Sequence, residues 1–222
     1  QLAPGWNLTQ SNYRNCSIDN YLAAMRYVTS CGGYAVRMGS AVPERLPDLG
    51  DPRIVDYASD YQSDFGDIYL LAKCKFFVGC SSGLMTVPII FNVPVIDANS
   101  LVMPIIPPTD HAESRTLGRR VEYVVLSGRD LFLPKPIYSG EKGRVLTFRE
   151  ILESEVRFFD RAERYEKLGL ELLENSPEDI LAITKEMNER LDGRFAYTGE
   201  DEALQTRLRS LAQPQPRNFD TL

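Results

Sequence analysis

The sequence predicts an α/β fold: a mostly parallel sheet with helices on both faces, followed by C-terminal helices. Three observations predict it. Short apolar runs rich in Val, Ile and Phe alternate with segments of helical spacing. Clusters of Gly, Pro, Asn and Asp separate them. The apolar share is 43% of 222 residues, enough to build a real core.

Each element follows in order. Ile18, Leu22, Met25 and Val28 fall on one helical face behind a Ser17 cap, and Gly32-Gly33 stops that helix. Residues 34–39 read as a strand, 40–52 as a loop with Pro43, Pro47 and Pro52, and 53–58 as a second strand. A helix over Asp67–Cys74 leads into strand Phe76–Gly79, then helix Leu84–Phe91 and strand Val93–Ile96. Residues 99–120 are proline-rich and end in Arg115, Arg119 and Arg120, and 121–126 read as a strand. Residues 131–138 are extended and broken by Pro134 and Pro136. Thr147 opens a helix that runs, with a break, to about Leu168. Ser176-Pro177-Glu178-Asp179 combines a serine cap, a first-turn proline and two acids, the strongest helix start in the chain. Ile180, Ile183, Met187 and Leu191 then repeat on one face until Asp192-Gly193, and a last amphipathic helix spans Glu200–Ala212. The expected organisation is a core over 1–146 with helices of 147–222 packed across it in the same domain.

Composition narrows the partners. A net charge of -6 argues against nucleic acid as the main one. Cysteines 16, 31, 74 and 80 form no C-x-x-C pair and there is one histidine, so no metal site is expected. Free thiols suit a reducing, cytoplasmic setting. The apolar stretch 76–106 is interrupted by Asn92, Asp97, Asn99 and prolines, which argues against a membrane span. Asn7-Leu8-Thr9 and Asn15-Cys16-Ser17 match the glycosylation sequon and read as chance.

The turn Gly79-Cys80-Ser81-Ser82-Gly83 sits between a strand and a helix, where open α/β sheets bind ligands. Three readings of it stand. It matches G-x-S-x-G, which would make Ser81 a hydrolase nucleophile, with His111 beside Asp110 as the sole base available. Alternatively, Ser81, Ser82 and the N–H groups of Gly83 and Leu84 would hold a phosphate, which needs no base. The third reading is tight packing of small residues at a strand-to-helix turn. Arg37, at the carboxyl end of the 34–39 strand with Gly39 after it, suits bidentate phosphate contact or a salt bridge to a nearby acid. Asp97 and Asn99 end another strand and would line the same crevice or serve a turn. Arg115, Arg119, Arg120 and Lys135 would close over a diphosphate or form a solvated basic face.

The segments YRNCSIDNYLAAMRYVTSCGGYAVRMG, IVDYASDYQSDFGDIYLLAKCKFFVGCSSGLMTVPIIFNVPVIDAN and LGLELLENSPEDILAITKEMNERLDGRF resemble a family of bacterial glycosyltransferases of surface-polysaccharide loci. That family is similar to the fucosyltransferase-like GT-B group, whose Asp at a helix start, strand and Ser-Ser turn match Asp67, Ser81 and Ser82, displaced by about one residue. The resemblance implies a Rossmann-like core, the donor-binding half of a GT-B fold. It implies a nucleotide-sugar donor, GDP-sugar favoured over UDP-sugar, and a glycan acceptor. Ser82 or its neighbour would bind the β-phosphate, and Asp67 would hydrogen-bond the base or ribose, or else serve its helix as a cap or first-turn acid. The group's upstream His-x-Arg strand and acceptor-binding half have no match in this chain. No D-x-D occurs, which fits metal-independent transfer. No catalytic base is identified. The alternative from another class is a non-catalytic nucleotide- or glycan-binding module.

Overall fold

A computed structural model describes residues 14–40, 42, 44–101, 129–158 and 162–212. A 3₁₀ turn, Ile18–Tyr21, is capped by the Ser17 hydroxyl and leads directly into helix α1, Leu22–Ser30. Strands β1 (Ala35–Val36) and β2 (Ile54–Val55) pair in parallel. Short helix α2 (Tyr57–Asp60) and helix α3 (Asp64–Lys73) follow. Strand β3 (Phe77–Gly79) ends in the Cys80–Ser82 turn, a 3₁₀ turn over Gly83–Met85 and helix α4, Thr86–Ile90. Strand β4 (Val95–Ser100) lies between β3 and β5 (Leu131–Pro134), and all three run parallel.

A second small sheet is antiparallel. Strand β6 (Ile137–Ser139) is flanked by β7 (Arg144–Val145) and β8 (Leu170–Leu172). Only four residues join β6 to β7, too few for a parallel crossover, so the chain folds back as a hairpin. Helices α5 (Phe148–Leu152) and α6 (Ala162–Lys167) lie between β7 and β8. Helix α7 (Pro177–Leu191) and helix α8 (Gly199–Ala212) complete the described chain.

The core sits between α1, α7 and the parallel sheet. Tyr21, Ala24, Ile96, Ala98, Ile180 and Met187 form one buried cluster. Ile96 and Ala98 contribute alternate positions of β4, while Ile180 and Met187 lie seven residues apart on α7. Every residue of β4 is buried, including its polar ones, as expected of a central strand covered on both faces. A smaller cluster of Ile137, Ile151, Val156 and Tyr165 supports the antiparallel sheet.

Several boundaries differ from the sequence reading. The 34–39 and 53–58 strands shrink to two paired residues each, and α2 occupies the end of the second. Helix α3 starts at Asp64, because the Ser63 hydroxyl accepts from the Gly66 N–H and so supplies a cap. The helix opened by Thr147 has its expected break, after Leu152, and resumes at Ala162. At the break the Ser154 hydroxyl bonds the Ile151 carbonyl and accepts from the Val156 N–H, offering the backbone an alternative to the helix. Strand β4 runs four residues further than expected, past a bulge at Asn99, whose φ is 53°. Strands β7 and β8 have no counterpart among the expected elements, since two or three residues carry little periodicity. The expected strand at 121–126 lies outside the described residues.

Candidate functional site

The carboxyl ends of β3, β4 and β5 meet at one edge of the sheet. In the β3–β4 register Gly79 lies beside Asp97. Helix α3 leads into β3 and packs against α4, the helix that follows the turn. The turn residues Ser81–Leu84 and the β4 residue Asp97 meet at this edge.

Ser81 and Ser82 play different parts. The Ser81 hydroxyl donates to the Asp97 carboxylate, at 3.2 Å from Oδ1 and 3.1 Å from Oδ2. Asp97 is 7% exposed, and burial pushes its carboxyl up to about 7, opposed by the Ser81 hydrogen bond. Ser82 is exposed, caps the 3₁₀ turn without a side-chain cap bond, and keeps its hydroxyl for another partner. Gly83 is exposed as well, and a Cβ placed on it would meet nothing within 4 Å. Leu84 continues the turn, half-buried. By contrast Gly79 is held to glycine by packing: a Cβ there would come within 2.6 Å of the Phe77 ring. Part of the turn thus obeys tight packing, while its Ser82–Gly83 tip is open.

Asp67 sits in the first turn of α3. Its Oδ2 accepts from Gln62 Nε2 at 3.2 Å, while its Oδ1 is buried without a hydrogen-bond partner. A buried carboxylate oxygen left unpaired is costly, so it marks a place where a donor belongs. Helix capping does not account for it, since Ser63 already caps α3.

Arg37 is drawn elsewhere. Its Nη1 donates to the Glu44 carbonyl at 2.5 Å and contacts Asp56 Oδ1 at 3.4 Å, with the side chain 7% exposed. Burial opposes ionisation of Asp56, but the Leu46 N–H, the Ser59 hydroxyl and Arg37 together hold its carboxyl below the usual range. Of the two roles considered for Arg37, the structure displays the ion pair, because Asp56 directly follows the neighbouring strand β2 and lies within reach. Gly39 has φ 146°, and a Cβ on it would meet Val42 at 2.9 Å, so backbone and packing demand glycine. Lys135 is likewise committed: its buried ammonium donates to the Asn15 carbonyl at 2.7 Å. His111, Asp110, Arg115, Arg119 and Arg120 lie outside the described residues.

Asn99 does not serve a turn. Its Oδ1 accepts from the Asn175 N–H at 2.7 Å, and its own N–H donates to Asn175 Oδ1 at 2.6 Å. Asn175 Nδ2 then donates to the Pro134 carbonyl at 2.9 Å. This exchange fastens the start of α7 to the ends of β4 and β5, and asparagine tolerates the left-handed bulge that permits it. Asn99 Nδ2 donates to the Tyr21 hydroxyl at 3.2 Å. That hydroxyl also shares a hydrogen bond with Cys16 Sγ, 3.4 Å away. Burial, followed by the neighbouring Cys16, holds the Tyr21 phenol far above its usual range.

Asn175, Tyr21 and Cys16 escaped the sequence reading. Asn175 and Tyr21 reach Asn99 across separations of 76 and 78 residues, Cys16 joins through Tyr21, and nothing local marks them. Among the described residues, no group of three or more His, Cys, Asp or Glu could hold a metal ion, and no helix is long and apolar enough to cross a membrane.

No family model matches the chain, and no curated protein or solved structure compared with it matches either.

Proposed function

We propose that this chain is the donor-binding half of a GT-B-type glycosyltransferase, in which the Ser82–Leu84 tip of the turn holds the diphosphate of a nucleotide sugar. The observation that carries the reading is the division of labour at the turn. Asp97 occupies the Ser81 hydroxyl, which leaves the exposed Ser82 hydroxyl and the open approach at Gly83 facing the carboxyl edge of a parallel sheet. The unpaired Asp67 Oδ1, in the helix that leads into β3, would accept from a ribose hydroxyl or a base N–H. The resemblance to the fucosyltransferase-like group supports GDP over UDP. In such a reaction the hydroxyl and N–H donors stabilise the departing diphosphate, and the sugar passes to a glycan acceptor. A cytoplasmic setting fits a nucleotide-sugar donor.

The test is calorimetric titration with GDP and UDP, in EDTA and then with magnesium. The expected result is binding of GDP in EDTA. Ser82→Ala should weaken it by about 1–3 kcal/mol, the usual worth of a hydrogen bond to a charged group. Ser81→Ala should weaken it less, because that hydroxyl is bonded to Asp97. Absence of binding by both nucleotides, or an unchanged affinity in Ser82→Ala, would overturn the assignment.

A further inference from the structure

We propose that the outward face of α3, with the end of α4, is the contact surface of a two-fold symmetric dimer of this chain. Among the described residues eleven large apolar side chains are exposed, and six of them fall within residues 61–91. Phe65, Ile68 and Tyr69 follow one another at i, i+3 and i+4 on α3, so they form a stripe along one side of the helix. Ala72 extends that stripe by another turn. Phe65 is 78% exposed and stacks on Tyr69, with ring centroids 5.6 Å apart. Tyr61 closes α2 just before the helix, and Ile90 and Phe91 close α4, which packs against α3. A helix of a single folded chain normally turns its apolar stripe inward. Helix α3 buries Leu71 and presents a second apolar side, the Phe65 stripe, to solvent.

Area, shape and charge make a second copy the occupant. With about 200 Å² for each fully exposed side chain, the six present roughly 700 Å². That exceeds the largest apolar patch of an ordinary monomer, about 300–600 Å², and approaches the roughly 800 Å² that each partner gives to a stable interface. The stripe is also self-complementary. Phe65 and Ala72 lie equally far, on opposite sides, from the midpoint between Ile68 and Tyr69. An antiparallel pairing of α3 with its copy about a two-fold axis at that midpoint sets each Phe65 ring over the small Ala72 of the other copy. Ile68 and Tyr69 then meet their own equivalents. Finally, α3 carries Asp64 and Asp67 in its first turn and Lys73 in its last, and both Asp64 and Lys73 are exposed. Antiparallel pairing brings the acidic turn of one copy level with the basic end of the other and opposes the two helix dipoles, whereas parallel pairing would set like beside like.

The experiment is sedimentation velocity of the full chain across the micromolar range, with circular dichroism of every variant. The expected result is a dimer that dissociates on dilution. Phe65→Glu on α3 and Ile90→Glu on α4 should each raise the dissociation constant by at least about tenfold, because each change enters a two-fold interface twice. Both side chains are exposed, so the circular dichroism spectrum and the urea midpoint should stay as in the wild type. Leu204→Glu alters an exposed leucine on α8, outside the face, and should leave the dimer intact. A wild-type chain that stays monomeric throughout would overturn the proposal and leave the face to a different partner. A dimer that survives both Phe65→Glu and Ile90→Glu, or one that Leu204→Glu breaks, would overturn it as well. The readout needs no nucleotide, so it stands apart from the glycosyltransferase reading.

Discussion

Asp97→Asn exchanges a buried carboxyl for an amide of the same shape. Asp97 titrates near 3.8 in the unfolded chain and at about 7 in the folded one. Between those values the folded state keeps a proton that the unfolded state has released. Stability is therefore fully present below about pH 4, falls as pH rises through 7, and levels off above it. At about 1.36 kcal/mol for each pH unit, the whole effect is roughly 4 kcal/mol, of which about 2 kcal/mol falls between pH 5 and 7. Cys16 acts with the opposite sign, adding stability between about 7 and 9, so the useful window lies below 7. Urea melts followed by circular dichroism at pH 5, 6 and 7 read the effect directly. The wild-type chain should lose about 2 kcal/mol over that range relative to Asp97→Asn, with the two most alike at pH 5. Parallel pH dependence in both proteins would refute the reasoning, because the proton would then reside elsewhere.

Two further outcomes follow from local geometry. Ser176→Ala removes one arm of the capping box in which Ser176 and Asp179 satisfy each other's N–H groups, and urea melts should show a loss of about 1 kcal/mol. Gly66→Ala places a Cβ 2.1 Å from the Tyr57 hydroxyl and 2.8 Å from Ser63 Oγ, so it should destabilise by about 1–3 kcal/mol. Adding Tyr57→Phe should restore part of that loss; no recovery would mean that the clash is not the cause.

The candidate site was legible where a backbone feature marked it. The small-residue turn after β3 and the acid at the start of α3 announce themselves through local composition. Which serine is free did not, because Ser81 and Ser82 are chemically alike until β4 brings Asp97 to one of them. Arg37 is equally ambiguous alone: a guanidinium satisfies a phosphate or an aspartate, and Asp56, just after the adjacent strand, decides. Asn99 and Asp97 looked like turn residues since both types favour turns. Burial of the whole of β4 made them part of a central strand instead.

The sequence by itself determined the helices that carry their own start and stop signals, α1 and α7 above all, and the alternation that makes a parallel sheet. Those features depend on residues within a few positions of one another, so periodicity and capping suffice to read them. The tertiary structure alone decided the meeting of Tyr21 with Asn99, the exchange between Asn99 and Asn175, and the placement of the Asp97 carboxyl beside Ser81. Those contacts join positions from 16 to more than 70 residues apart. Their energetics arise from burial, which no single segment possesses until the sheet and α7 close around it.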